Sequence, residues 1–183
     1  FKGSIMKFLV LSIILVLSLF AGELKLQSGS VMGLTSVLGD SKIDPKNDNL
    51  LTNLSIDGDD ITTLKGTISV EMALFKSQNA DRDENMLETL EVEKFTKSIY
   101  TIQSVEDTKA PSVYILKGEL DLHGVKKALD FNATITQDDM ILSIDAKSKI
   151  NVEDYGIEMP CLLGFTMCVD ENVEINGVAV FNK

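Results

Sequence analysis

The sequence predicts an all-β fold, a single antiparallel barrel of about eight strands carrying one short helix. Three observations lead there. Apolar and polar residues alternate with a period of two along much of the chain after Gly22, the mark of half-buried strands. Turn clusters such as Asp57-Gly58-Asp59-Asp60, His123-Gly124 and Gln137-Asp138-Asp139 separate the runs, and connections this short favour antiparallel hairpins. No stretch after Gly22 reads as a long helix.

In chain order, Thr67–Lys76 is expected to turn Ile68, Val70, Met72 and Leu74 to one face, against Ser69, Glu71 and Ala73. Arg82–Leu90 breaks the pattern: Met86, Leu87 and Leu90 fall together at helical spacing, and Asp81 with Glu84 three residues later reads as a capping box. Ile99–Val105 and Val113–Leu122 are weaker strands. Leu129, Phe131, Ala133 and Ile135 alternate with Asp130, Asn132 and Thr134. Met140–Ile150 is expected to place Met140, Leu142, Ile144, Ala146 and Ile150 inward, and Val173–Phe181 is a last, weaker strand. A short helix on about eight strands suits the closing of one barrel end, and eight strands leave room for one small ligand.

The first 21 residues are of a different kind. Phe8–Phe20 is an apolar run broken only by Ser12 and Ser18, preceded by Lys2 and Lys7 and followed by Ala21 and Gly22. A basic head, a short apolar run and a small-residue exit describe a secretory signal peptide, shorter than the ~20 residues a bilayer span needs. Met6 is the natural start, which makes Phe1–Ile5 an upstream extension or a remnant. The chain as a whole has 183 residues with a net charge of −11. Without residues 1–21 it has 162 residues with 15 cations against 28 acids, a charge of −13. Residues 22–183 then form one acidic, exported domain. Such a charge argues against nucleic acid and against lasting adsorption to anionic lipid headgroups. One His and two Cys leave few ligands for a metal centre.

Gly118-Glu119-Leu120-Asp121-Leu122-His123-Gly124-Val125-Lys126-Lys127 resembles the hairpin signature of the YceI-like family of lipocalin-like, polyisoprenoid-binding periplasmic proteins. Ala80-Asp81-Arg82-Asp83 with Met86-Leu87 is similar to that family's Arg-Asp segment and short helix. Val92-Glu93-Lys94-Phe95, then Ile102 and Ser104, resembles its next stretch. Ile150 to Ile157, then Asp170 to Phe181, resembles its closing segment. The resemblance spans residues 80–181. Gly22–Ser36 lacks the family's usual opening, and residues 39–60 are an acidic, Asn-rich stretch in place of a Gly-Phe strand.

The resemblance implies a barrel with an apolar tunnel for a long isoprenoid or other lipid-like chain, such as a quinone tail. It also implies a periplasmic carrier or reservoir with no covalent step. The tunnel lining expected from the inward faces is Ile68, Val70, Met72, Leu74, Met86, Leu87, Leu90, Ile102, Leu120, Leu122, Leu129, Phe131, Met140, Leu142 and Ile144. Alternation alone favours these side chains as a filled core; the resemblance favours a cavity. No cofactor is expected beyond a bound lipid or isoprenoid quinone. Membrane contact would be transient, and monomer and dimer are both compatible with these residues. The competing readings are a lipid-modifying enzyme and a scaffold with a filled barrel.

Among candidate chemical groups, His123 is the lone histidine and is expected as an exposed turn residue without a catalytic role. Arg82 has two readings, a structural carboxylate pair (favoured) and a contact to a ligand head. Tyr100, Tyr114 and Tyr155 are head-group contacts or rim aromatics. Cys161 and Cys168 are expected to form a disulfide in an oxidising compartment. A Cu(I) site with Met159 and Met167 and two buried thiols are the alternatives. The acidic runs at 44–48, 57–60 and 81–84 lack EF-hand oxygen spacing and read as solvated turns.

Overall fold

The computed structural model describes residues 22–37, 41–162 and 167–183; the segment read as a leader lies outside them. The strands are β1 Gly22–Val37, β2 Ser41–Ile43, β3 Lys46–Asn47, β4 Leu50–Asp57, β5 Asp60–Glu71, β6 Lys97–Asp107, β7 Val113–Leu122, β8 Val125–Gln137, β9 Ile141–Asn151, β10 Cys161–Leu162, β11 Met167–Cys168 and β12 Asn172–Asn182, with one helix, α1, at Ala80–Thr89.

Eight of the strands close a barrel in the order β1-β4-β5-β6-β7-β8-β9-β12, and β12 returns to β1 in a ladder that sets Leu26 opposite Phe181 and Leu34 opposite Glu174. Every pairing is antiparallel. The β12–β1 ladder removes the free edge that an open sheet would leave there. Strand β1 touches β4 over only three positions, Gly22 to Leu24; beyond them β3 pairs with Val31 and Met32, and β2 with Thr35 to Val37. Asn47 seals that junction. Its amide donates to the Glu71 carbonyl, and its side-chain oxygen accepts from the Asn49 amide, so a fully buried polar side chain is satisfied. The Asn-rich stretch is thus largely barrel wall.

The hairpins sort the molecule into two ends. The β4–β5, β6–β7 and β8–β9 turns, the start of β1 and the end of β12 lie at one end. There Leu54, Leu64, Ile102, Ile135, Leu142 and Phe181 are each 2% exposed or less and form a solid core. Lys183 closes this end, its ammonium donating to Asp59, Gln137 Oε1 and the Asp138 carbonyl. The β7–β8 turn, α1 and the β10–β11 hairpin occupy the other end.

Three local expectations need correction. The strand expected to run to Lys76 stops at Glu71, and Met72–Leu74 form a 3-10 turn that leaves Leu74 exposed. The helix starts at Ala80 with Asn79 as its cap, the Asn79 side chain accepting from the Arg82 amide; Asp81 lies inside the first turn, where it suits the helix dipole. Met140 belongs to the β8–β9 turn and is 72% exposed, because the strand begins one residue later.

Candidate functional site

Above the solid core the barrel is hollow. A cavity of about 850 Å³ occupies the end beneath α1. Its wall is made by inward side chains from all eight barrel strands, among them Leu50, Val70, Leu120, Phe131, Ile150 and Ile175. The lining is overwhelmingly apolar, which suits an apolar occupant held by area rather than by charge.

Polar groups of the wall are turned into the protein. Ser98 Oγ donates to the Asp121 carbonyl and Thr35 Oγ1 to the Asp170 carbonyl. Tyr100 Oη lies 2.9 Å from both the Leu116 and Leu129 carbonyls, with its ring edge-on to Phe131 at 4.8 Å. Burial, reinforced by the Asp130 charge, pushes the Tyr100 phenol above its ordinary value, so it stays protonated. Gly118 is required beneath it, because a Cβ there would stand 2.2 Å from the Thr101 carbonyl and 2.8 Å from the phenol.

Helix α1 covers the cavity, with Met86 and Leu90 on its lining face together with Arg82, Asn85, Glu88 and Thr89. Asp83 pins the helix: its buried carboxylate accepts from both the amide and the hydroxyl of Ser77, each at 2.7 Å. Burial alone would raise its pKa, but the two Ser77 bonds and the charges of Lys76 and Arg82 prevail and hold it below the ordinary value. At the far end of α1, Glu91 Oε2 lies 2.9 Å from His123 Nε2. His123 Nδ1 lies 3.2 Å from the Tyr155 carbonyl, and its ring lies 3.9 Å from that of Phe95. His123 is therefore in a turn, as expected, but its side chain is only 9% exposed; the residues after α1 fold back over the hairpin and cover it.

The remaining lining comes from Met159, Pro160, Met167 and Val169, which flank a disulfide joining Cys161 to Cys168. The bridge uses both sulfurs, so the thiolates of a Cu(I) site are absent. Val169 also pairs with Val37, which ties this hairpin to β1.

Of the residues singled out from the sequence, Ile68, Val70, Met72, Met86, Leu90, Leu120, Leu122, Phe131 and Ile144 border the cavity. Ile102 and Leu142 point inward but lie in the solid end. Leu129 is half-buried against the core without reaching the cavity. Leu87 faces a small surface depression with Lys76 and Asn79, and Leu74 and Met140 are exposed. Tyr114 does not border the cavity, and Tyr155 is buried with Lys127 above its ring. Sequence reading missed Val31, Gly33, Val37, Ile43 and Pro45, all from the first quarter of the domain.

A family model for the YceI-like domain matches residues 25–181. The chain belongs to the YceI-like family. The match takes in nearly the whole barrel, including most of the first strands that the sequence motifs did not reach. Among YceI-like relatives, a UPF0312 protein of Pseudomonas putida (strain W619) is 26% identical over 118 residues, which cover 60% of this chain and 61% of that protein. The chain thus matches less than two thirds of that relative's length. Among solved structures, BcnA of Burkholderia cenocepacia superposes with a TM-score of 0.74 at 10% identity, covering 83% of this chain and 95% of its own. A polyisoprenoid binding domain from Saccharophagus degradans, implicated in plant cell wall breakdown, gives 0.67 at 14% identity over 87% of this chain and 97% of its own. The YCEI protein of Campylobacter jejuni gives 0.61 at 16%, over 74% and 81%. At these identities the likeness is one of fold.

Proposed function

We propose that this protein sequesters or carries one long apolar molecule, a polyisoprenoid, quinone tail or similar lipid-like chain, inside its barrel and does no covalent chemistry on it. The observation that carries the reading is the apolar cavity of about 850 Å³ beneath α1. A water molecule takes about 30 Å³ of liquid, so the space accommodates on the order of twenty to thirty carbon-sized groups. Each CH₂ moved out of water contributes about 0.8 kcal/mol, which is ample for a flexible chain even after its ordering entropy. Met72, Met86, Met159 and Met167 border the space and can repack around an irregular chain.

The absence of a covalent step is supported by His123, which lies off the cavity with its nitrogens beside Glu91 and the Tyr155 carbonyl. Tyr100 offers the wall a phenol already engaged by two carbonyls. Export to the periplasm is supported by the basic-then-apolar leader in the sequence and by the disulfide, a bond that persists in oxidising compartments. Solvent extraction of the purified protein followed by mass spectrometry tests the reading. A stoichiometric long-chain apolar species is expected; a reproducibly empty protein that also takes up no added chain would overturn it.

A further inference from the structure

The cavity lining contains two charged side chains among the described residues, Arg82 and Glu88, both on α1. They differ in a way that bears on the ligand. Glu88 is exposed and keeps its water, whereas Arg82 is half-buried. The Arg82 guanidinium also has no hydrogen bond or ion pair with any described residue; the Arg82 bond to Asn79 is made by its backbone amide. Asp83, its neighbour, is committed to Ser77. Asp83 feels the Arg82 charge but spends its hydrogen bonds on Ser77, so the pairing favoured for Arg82 from the sequence is not made as a direct contact.

An arginine presents five donors and no acceptor, and the side-chain donors of Arg82 are hydrogen-bonded to no described residue. The other polar groups of the barrel wall, Ser98, Thr35 and Tyr100, all have backbone partners. Arg82 also shares one helix face with Asn85, Met86 and Thr89, at i+3, i+4 and i+7. Its alkyl stem can lie along the apolar lining while the head reaches the edge of the cavity.

Building on the apolar-chain reading above, we propose that Arg82 binds the anionic head of the ligand, a carboxylate or a phosphate, while the tail fills the barrel. The occupant is then an amphiphile such as a fatty acid or a prenyl phosphate, seated tail-down with its head beneath α1. Asn85 and Thr89 add neutral donors beside Arg82. A guanidinium meets either oxyanion with charge-assisted, two-pronged hydrogen bonds.

The test uses two matched pairs of probes with the full-length protein after delipidation: hexadecanoate against hexadecan-1-ol, and geranylgeranyl phosphate against geranylgeraniol. Within each pair the tail is constant. The anion is expected to bind about tenfold or more tightly than its alcohol. Arg82→Gln should bring the two within about twofold, and Arg82→Lys should retain part of the preference. A preference in one pair only identifies the head as carboxylate or as phosphate, and both results support the proposal. Anions and alcohols binding equally to the wild-type protein, or an anion preference that survives Arg82→Gln, would overturn it and leave the apolar-chain reading standing. Failure of all four probes to bind would overturn both.

Discussion

The two ends of the barrel are built from the same strands and the same alternation, yet one is packed and the other is hollow. On β9, Leu142 is fully buried in the solid end, while Ile144, two residues later and on the same face, borders the cavity. On β12 the order is mirrored: Phe181 is buried in the core, and Ala179 and Ile175 face open space. What differs is the closure. The solid end is sealed by tight hairpins and by Lys183, which bring opposing side chains into contact. The hollow end is bridged by longer segments, α1 and the disulfide hairpin, which span the opening without filling it. Stability is concentrated at one end, and capacity for a ligand at the other.

The largest effect that should separate the ends comes from truncating matched side chains. Phe181→Ala in the solid core is expected to cost about 3–5 kcal/mol in urea unfolding. Ile175→Ala, which only enlarges existing space, should cost about 1 kcal/mol and change chain binding instead. Equal costs would mean that the hollow end is as tightly packed as the solid one. Next is the disulfide. Replacing Cys161 and Cys168 together by Ser should remove about 2.5 kcal/mol on the chain-entropy model for so short a loop. Hydrogen exchange should then rise around Met159 and Val169 before it rises in β4 or β9.

A smaller effect is expected at His123. His123→Ala removes contacts to Glu91, Phe95 and the Tyr155 carbonyl and should cost about 1–2 kcal/mol. It should leave binding of a long-chain alcohol within about twofold. Loss of binding with the fold intact would bring His123 into the site. The smallest effect is a slope. The folded-state pKa of Asp83 is lowered, so its contribution to stability is present above its unfolded value of about 3.9 and is lost as pH falls through the lower folded value. Asp83→Asn should lower stability at neutral pH and flatten the loss of stability below about pH 4. An unchanged acid limb would show that the Ser77 contact adds nothing to the pinning of α1.

How far these ends can be read in the sequence depends on the element. Strands β8 and β9 alternate cleanly, so their inward residues are legible. Strand β1 is not, for a physical reason. Its pairing with β12 shifts register between Leu26 and Ser28, and a bulge there moves the inward set from Leu24 and Leu26 to Gly29, Val31, Gly33, Thr35 and Val37. Two of those five are glycines. At Gly29 a side chain would come within 2.6 Å of Leu50, so the tight seam between strands is written as a missing side chain. The same kind of shift after Ile102 weakens the pattern of β6. Alternation also cannot separate Leu142 from Ile144, because pattern encodes the face a residue takes and not whether the opposite wall reaches it. The family motifs, rather than the period, pointed to a cavity. For Arg82 the sequence offered two readings; what bears on them is the contact of Asp83 with Ser77, made across a turn that no spacing rule describes.

A crystal structure of the protein purified with its natural occupant tests the division between the ends most directly. Continuous, unbranched or prenyl-like density should run from beneath α1 down to Phe131 and Ile144 and stop above Leu142 and Phe181. Ordered water throughout that space, or lining side chains collapsed into it with no added chain able to enter, would contradict a chain-binding barrel.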